Sequence, residues 1–210
     1  MVAPSVPDLV RDVKELRGFH EFFTQASGSW NTERNYHYME GEDEEASTEN
    51  SRMTFDVERL GNDDKREVIE IYDKFLDEEG VASCEGFRVS FKTMMESKGL
   101  VKSFTNLVFI PEESRNNVLS GMYLRDYAYE ERRPVPGSFK FNTEERKLIL
   151  TTKYTKLVSV DSIQLANSDT RLRQIVNYER PEEPDEELSK VMLAGFGVET
   201  RVQGGNRFVD

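Results

Sequence analysis

The chain has 210 residues, a length that suits one domain with a full core, or one large β-barrel, better than two domains. Its 40 acidic residues outnumber 28 lysines and arginines, and the net charge of −12 argues against nucleic acid and anionic membranes as partners. A transmembrane helix needs a run of about 18 apolar residues, and no apolar run in this chain approaches that length, so we expect no membrane insertion. Cys84 is the single cysteine, and His20 and His37 lie far apart without zinc-type spacing, so we expect neither a disulfide nor a metal site.

Two segments show the three-and-four spacing of apolar residues that is typical of an amphipathic helix. The first lies within residues 1–28, with Asp8 as a suitable N-cap and Gly28 just past the predicted end. The second lies near residues 65–77 and ends before Gly80. We therefore predict an N-terminal helix and one further helix.

Most of the remaining chain has the aromatic and β-branched composition of strands, separated by Gly, Asn, Asp and Pro clusters. The nine predicted strand segments are 29–39, 51–60, 85–95, 102–111, 116–130, 137–142, 146–160, 169–180 and 191–203. Strands in such close succession favour an all-β fold, an antiparallel up-and-down β-barrel of lipocalin or calycin type spanning residues 29–203. We treat residues 1–210 as a single domain in which 41–50 and 181–190 are flexible acidic loops.

Two arginines lie two residues apart on one predicted strand. Side chains alternate along a strand, so Arg171 and Arg173 share one face while Leu172 points to the other. The pair either faces solvent or lines a pocket for a molecule with two negative charges, and an internal Arg–Asp ion pair is a competing interpretation. Arg34 and Arg125 lie on other predicted strands and pose the same question.

Three acids crowd one short stretch of the chain. Asp126 and Glu130 share a strand face, while Glu131 lies on the opposite face with Tyr129. A carboxylate inside a barrel would have its pKa raised by desolvation unless a cation or N–H donors met it. Pyrrole-type N–H groups would be suitable donors, although a surface position is the preferred interpretation for each acid.

The sequence contains no nucleophile motif, zinc-binding motif or phosphate-binding glycine loop. Trp30, eight tyrosines and 13 phenylalanines can fill a barrel core, yet they would also suit a cavity for a flat conjugated molecule. From the residues alone, the chain is an acidic β-barrel that can hold a ligand.

Three segments resemble the S-type phycobiliprotein lyases. The first, "FFTQASGSWNTERNYH", has the pattern Phe22, Phe23, Gly28, Trp30, Arg34 and His37. The second, "YLRDYAYEERRPVPG", has Leu124, Arg125, Asp126, Tyr129, Glu131, Pro134, Val135 and Gly137. The third, "SIQLANSDTRLR", is similar to the late strands of that family and ends in an asparagine turn, at Asn167, and the paired arginines. The resemblance covers roughly residues 19–200.

The resemblance implies a lipocalin-like barrel that binds a linear tetrapyrrole, a phycobilin such as phycoerythrobilin, and transfers it to a cysteine of an apo-phycobiliprotein. Arg171 and Arg173 would then clamp the two propionates, with Arg125 or Arg34 helping. Glu131 or Asp126 would accept hydrogen bonds from the pyrrole N–H groups and protonate the pigment. The further bilin-binding positions are Trp30, Tyr129, Tyr154 and Asn167.

The resemblance also implies partners and a location. The partners would be the phycobilin, the acceptor subunit with its cysteine, and a bilin reductase; a homodimer is an additional expectation. The location would be a cyanobacterial cytoplasm or a plastid. The chain departs from the family pattern at Lys153, Thr155 and Gln164, which leaves the preferred bilin open. The alternative functions are a non-catalytic tetrapyrrole carrier and an interaction protein with a solid barrel.

Overall fold

The computed structural model describes residues 10, 13–39, 45–128, 130–183 and 186–209. The elements in chain order are α1 (Lys14–Ala26), β1 (Gly28–Tyr38), β2 (Ser47–Arg59), α2 (Asn62–Glu70), α3 (Glu78–Ser83), β3 (Glu85–Met95), β4 (Gly99–Arg115), β5 (Val118–Arg125), β6 (Gly137–Asn142), β7 (Lys147–Lys153), β8 (Leu157–Leu165), β9 (Thr170–Glu179) and β10 (Val191–Arg201). No helix in these ranges is long and apolar enough to cross a bilayer.

The ten strands of the described residues form one closed antiparallel barrel. Each strand pairs with the next along the chain, and β1 closes the ring by pairing with β10. This confirms the predicted up-and-down barrel. Barrel diameter grows with strand number, so ten strands leave room for an internal cavity.

One predicted strand is in fact two. The run 146–160 contains β7 and β8, which are joined by a tight turn in which the Tyr154 amide donates to the Leu157 carbonyl at 2.9 Å. The turn residues Tyr154, Thr155 and Lys156 include none of the Gly, Asn, Asp or Pro residues that usually mark a turn. The sequence therefore gave no local signal for the break.

Helix α1 closes one end of the barrel, which we call the base. Phe19 and Phe23 bury their rings on the strands, with Phe23 stacked on Phe87 at 4.3 Å between ring centroids and Phe19 stacked on Phe139 at 5.1 Å. Burying each such side chain contributes about 1.5–3 kcal/mol. At the opposite end, which we call the mouth, the described residues leave the cavity open, with Tyr38, Lys98 and Glu130 at its edge.

The other helices lie outside the barrel wall. Helix α2 packs on β4 and β5, and the ammonium of its Lys65 donates to the carbonyls of Val81, at 2.9 Å, and Cys84, at 3.0 Å. The helix that we predicted near residues 65–77 is α2, which starts and ends earlier, at Asn62–Glu70. A turn with Asp73 in the left-handed region follows it, and α3 is a third helix in place of the single further helix predicted.

The predicted loop boundaries also shift. Strand β2 begins at Ser47, so the second half of the 41–50 segment is strand, and residues 40–44 lie outside the described residues. The described part of 181–190 contains neither helix nor strand, as expected.

Candidate ligand-binding cavity

The barrel encloses a cavity of about 540 Å³ between α1 and the mouth. Ligand pockets commonly measure about 300–1,000 Å³. Phe22, Phe23 and Ala26 of α1 form its floor. The aromatic walls are contributed by Tyr36, Tyr38, Phe55, Phe87, Phe91, Phe109, Tyr123, Tyr127 and Tyr154. The barrel is therefore hollow, which disfavours the alternative of an interaction protein with a solid barrel.

The paired arginines of β9 point into this lumen. Arg171 is 3 % exposed and Arg173 lines the cavity, whereas Leu172 between them faces outward and is 45 % exposed. Strand β9 thus turns its cations inward and an apolar residue outward, which inverts the usual pattern of a half-buried strand.

Glu199 of β10 holds two arginines at the base of the cavity. Arg171 donates through Nε to Glu199 Oε2 at 2.9 Å, and Arg34 donates through Nη2 to Oε1 at 2.9 Å. Arg171 also donates to the Ala26 carbonyl at 3.1 Å and lies 4.0 Å from the centroid of the Trp30 ring. We call Arg34, Arg171, Arg173, Asp161 and Glu199 the basal network.

The charges of the basal network set each other's ionisation. Burial alone would raise the pKa of Glu199, but Arg171 and its neighbouring arginines outweigh burial and hold that pKa below its ordinary value. Burial lowers the pKa of Arg171 to about 10, and Glu199 opposes that effect. Glu199 and Arg171 therefore both remain ionised at neutral pH.

Two glycines make room for the network on β10. The inward-facing Gly197 is paired with Arg34 across the β1–β10 ladder, and a Cβ at Gly197 would lie 2.8 Å from the Thr32 hydroxyl and 2.9 Å from Arg34 Cγ. Gly195 stands in the same relation to Tyr36. Any larger residue would push these side chains away from Glu199 or out of the lumen.

Asp161 of β8 is the second acid of the basal network and it lines the cavity. Arg173 donates through Nε to Asp161 Oδ1 at 2.9 Å, and its Nη2 contacts Oδ2. Burial would lower the pKa of Arg173, but Asp161 and Glu199 raise it above its ordinary value. The internal Arg–Asp pair considered from sequence therefore exists, and it lies in the wall of the cavity.

Arg125 of β5 lies among hydroxyl groups. Its Nη2 donates to Thr152 at 2.7 Å, to the Tyr154 hydroxyl at 3.0 Å and to the Tyr123 hydroxyl at 3.2 Å. Its Nε is buried and has no hydrogen-bond partner. Within the described ranges no carboxylate lies at ion-pair distance from Arg125, so this guanidinium is a cavity cation without a counter-charge.

Asp126 and Glu131, the two acids predicted to contact the pigment, are not among the residues that line the cavity. The Asp126 carboxylate accepts from the Asn106 amide at 2.9 Å and from its side chain at 2.8 Å, so it is fixed on β4. Glu131 accepts from the Thr155 amide and pairs with Arg133, and these contacts hold its pKa below the ordinary value. An acid with a lowered pKa is a poor proton donor at neutral pH.

The remaining predicted positions are distributed unevenly. Tyr154 lines the cavity through its contact with Arg125. Trp30 is fully buried below the cavity, where its indole donates to the Ala26 carbonyl at 3.0 Å. Asn167 is exposed and accepts from the Asp169 amide in the turn before β9, outside the cavity lining. Tyr129 lies outside the described residues.

The mouth of the cavity carries a cation, a carboxylate and a tyrosine whose hydroxyl is held by a hydrogen bond. Lys98 and Glu130 line the rim and are exposed. Glu49 accepts from the Ser97 amide at 3.0 Å and from the Tyr38 hydroxyl at 3.2 Å, which ties the β3–β4 turn to β1 and β2. Burial and then Glu49 raise the pKa of Tyr38 to about 12, so its hydroxyl stays protonated.

Asp161, Glu199 and Thr152 belong to the site but were not predicted from the sequence. Glu199 shares its strand face with Gly195 and Gly197, and the outward residues between these positions are the exposed Phe196 and Val198. Strand β10 thus has small and charged residues facing the lumen and apolar residues facing outward. This pattern in a sequence can indicate a polar lumen. Among the described residues no group of three or more His, Cys, Asp or Glu side chains could hold a metal ion.

The family model and the relatives that match this chain all carry the same family name. The family model described as CpeS-like protein matches residues 18–202. The chain is 38 % identical over 187 residues to chromophore lyase CpcS/CpeS 1 of Synechococcus sp. (strain JA-3-3Ab), covering 89 % of this chain and 98 % of the relative. It is 30 % identical over 158 residues to chromophore lyase CpcS/CpeS 2 of Synechocystis sp. (strain ATCC 27184 / PCC 6803 / Kazusa), covering 73 % and 77 % of the two chains.

A solved structure shows the same fold. The S-type phycobiliprotein lyase CPES from Guillardia theta superposes with a TM-score of 0.69 at 20 % identity, covering 92 % of this chain and 99 % of that one. The match to the family model, together with the cyanobacterial relatives, establishes that this chain belongs to the CpeS-like protein family.

Proposed function

We propose that the protein binds a phycobilin non-covalently in the barrel lumen and transfers it to a cysteine of an apo-phycobiliprotein, forming a thioether. Relatives named chromophore lyase support this activity, and the hollow, aromatic-lined barrel supports a flat conjugated substrate.

One observation carries the proposal: cations outnumber carboxylates in and around the cavity. The cations that line the cavity or its mouth are Arg34, Lys98, Arg125, Arg171 and Arg173. The carboxylates are Asp161 and Glu130 in the lining, Glu199 against the basal arginines and Glu49 against Tyr38 at the mouth. A phycobilin carries two propionates, and these negative charges suit a cavity in which, among the described residues, cations outnumber carboxylates.

Arg125 is the first propionate anchor in this proposal. An incoming carboxylate would meet its buried, unpartnered Nε and the hydroxyls of Tyr123 and Tyr154 beside it. The second anchor is Arg34, whose Nε is also buried without a partner and whose Nη1 lies 3.5 Å from the Tyr36 hydroxyl. Each charge-assisted hydrogen bond contributes about 1.5–3 kcal/mol.

Asp161 takes the role that the sequence had given to Asp126 and Glu131. It is the carboxylate of the cavity wall, and with Arg173 on one side it keeps lone pairs for the pyrrole N–H groups of the pigment. Hydrogen bonds to those groups would hold the tetrapyrrole in one curvature.

The chemistry on this view is an addition that the lyase positions. The sulfur of the acceptor cysteine bonds to the exocyclic carbon of ring A, and the thiol proton ends on the pigment, so no oxidant or reductant is needed. The lumen fixes the face and distance of attack and shields the pigment from wrong additions.

The test is a titration of the purified protein with phycoerythrobilin and phycocyanobilin, followed by absorbance. We expect saturable binding of the free acids and at least tenfold weaker binding of their dimethyl esters, which lack both charges. Addition of the apo-subunit should then leave colour on the acceptor after denaturing electrophoresis. Equal binding of esters and acids would contradict the charge match, and a pigment that never leaves the barrel would favour the carrier alternative.

Three finer expectations remain predictions. A bilin reductase would supply the pigment, because a reactive bilin is best passed directly between proteins. Self-association as a homodimer and a location in the cyanobacterial cytoplasm or a plastid are tested by the solution mass and by cell fractionation.

A further inference from the structure

The outer side of the β3–β4 hairpin carries an unusual set of side chains. Alternate residues of the two strands put cations and apolar groups on one surface, with Met94 and Leu100 each 47 % exposed and Phe104 57 % exposed. We call this surface the hairpin face and define it as Arg88, Lys92, Met94, Leu100, Lys102 and Phe104. Soluble proteins rarely expose contiguous apolar side chains without an interaction role.

The cations of the hairpin face have no ion-pair partner in the described part of the chain. Lys92 lies directly opposite Lys102 in the β3–β4 ladder. Like charges in that position destabilise a sheet. Arg88 donates to the Asn106 side chain at 3.0 Å and lies 5.7 Å from the centroid of the Phe104 ring. Asp56 and Glu58 of β2 flank the face on one side, with Glu58 directly opposite Arg88, so positive charge predominates at the facing pair Lys92 and Lys102 on a chain of net charge −12.

The hairpin face adjoins the mouth of the cavity. Phe104 belongs to both surfaces, because it is exposed outside and also lines the cavity edge, and Lys98 in the same hairpin lines the rim. The ladder between β4 and β5 begins only at Leu107, so the outer part of the hairpin extends past its neighbouring strand. A body seated on the hairpin would therefore also cover the entrance.

We propose that the hairpin face is the docking surface for the acceptor subunit, and that the acceptor presents an acidic surface with an apolar centre beside its target cysteine. This inference rests on the proposed function. A protein partner fits better than an anionic membrane because three apolar side chains are interleaved with the cations, and the net charge of the chain opposes a uniformly negative surface. Docking there brings the acceptor thiol to the mouth of the cavity.

The test separates pigment uptake from pigment transfer. We expect the double variant Lys92→Glu/Lys102→Glu to bind phycocyanobilin with wild-type affinity. Its kcat/KM for transfer to the apo-subunit should fall by about tenfold or more at low ionic strength, because facing charges steer association. The difference from wild type should shrink in 0.5 M salt, where charges are screened beyond about 3–10 Å.

A matched control makes the same change of charge at another place on the barrel surface. Lys140→Glu/Lys147→Glu makes an equal change on the outer side of β6 and β7, away from the hairpin, and should leave transfer unchanged. An equal loss in both double variants would assign the effect to net charge and overturn the docking surface.

A second variant tests the apolar part without a change in charge. Met94→Gln/Leu100→Gln should keep bilin binding and raise KM for the apo-subunit at both salt concentrations. Wild-type transfer by both hairpin variants would overturn the proposal. So would binding of the wild type to phosphatidylglycerol vesicles that Lys92→Glu/Lys102→Glu abolishes while transfer persists, since the face would then be a membrane contact. If the wild type takes up no bilin at all, the proposed function itself fails.

Discussion

Two sets of arginines line the same lumen and differ in how their charge is met. In the basal network, Arg171 and Arg34 share Glu199 and Arg173 pairs with Asp161, so two carboxylates of the protein meet most of the charge of three arginines. Higher in the wall, Arg125 is surrounded by neutral hydroxyls and has no carboxylate among the described residues. Every basal arginine has a carboxylate partner without a ligand, whereas Arg125 gains one only when an anion binds.

The difference separates stability from binding. Buried ion pairs are costly to break because one charge is left uncompensated. An unpaired cation in a cavity is already partly uncompensated, and its removal costs the fold little. The basal network should therefore affect mainly the free energy of unfolding, and Arg125 mainly the affinity for the pigment.

The largest expected effect is on Glu199. Glu199→Gln leaves the buried guanidiniums of Arg171 and Arg34 without their shared counter-charge, and we expect the free energy of unfolding to fall by about 3–5 kcal/mol. Urea denaturation followed by tryptophan fluorescence at pH 7 measures it, since Trp30 lies under Arg171. A loss of less than about 1 kcal/mol, the usual value of an exposed pair, would mean that the base is solvated and the contrast is false.

The next effect concerns ligand affinity. Arg125→Gln removes one propionate anchor and should weaken phycocyanobilin binding by about 10- to 100-fold, equivalent to about 1.5–3 kcal/mol. Its unfolding midpoint should stay at or above that of the wild type. Arg125→Lys should retain part of the affinity because it keeps the charge but not the planar fork. If Arg125→Gln unfolds readily but binds normally, the two regions have exchanged roles.

The pH dependence of stability sharpens the same contrast. Glu199 has a folded pKa below its ordinary value of 4.5, so the unfolded state binds more protons in acid and stability rises with pH there. The contribution of Glu199 is fully present above pH 4.5 and is lost as pH falls through its folded pKa. Urea midpoints between pH 3 and 6 should therefore show a steeper acid loss in the wild type than in Glu199→Gln, and parallel curves would contradict this assignment.

The smallest effect is expected at the two carboxylates that the sequence had suggested as proton donors to the pigment. Glu131→Gln and Asp126→Asn alter carboxylates that hold backbone amides outside the cavity, so transfer kinetics should not change measurably. Single-turnover attachment to the apo-subunit checks this. Slowed attachment with intact bilin binding would return Glu131 to the role of proton donor.

The fold was predictable because it depends on local signals that repeat along the chain. Composition and turn residues indicated the barrel and the N-terminal helix, and the alternation at Arg171 and Arg173 predicted a shared face. That face could not be assigned to the lumen from the strand alone, because Leu172, the apolar neighbour, is the residue that turns outward. The usual rule of apolar inside and polar outside fails in a barrel that keeps its interior charged.

The site was less predictable for two physical reasons. The contact between Arg34 and Glu199 joins residues 165 positions apart, and it exists only because β1 and β10 close the ring. Strand β5 ends at Arg125, so the alternation used to place Asp126 and Glu131 does not extend to them, and local backbone amides capture their side chains instead. Short-range periodicity is informative inside a strand and loses its meaning at the first residue beyond it.

Helix α1 seals the base of the barrel, and this has a consequence for the order of events. A pigment that both enters and leaves through the mouth emerges in the reverse order, so the ring that enters last is the first to come out. For ring A to meet the acceptor thiol, the tetrapyrrole must be inserted with its ring D end leading. A pigment loaded in the reverse sense would sit with its reactive carbon against Phe22 and Phe23, and it would occupy the lyase as a dead-end complex.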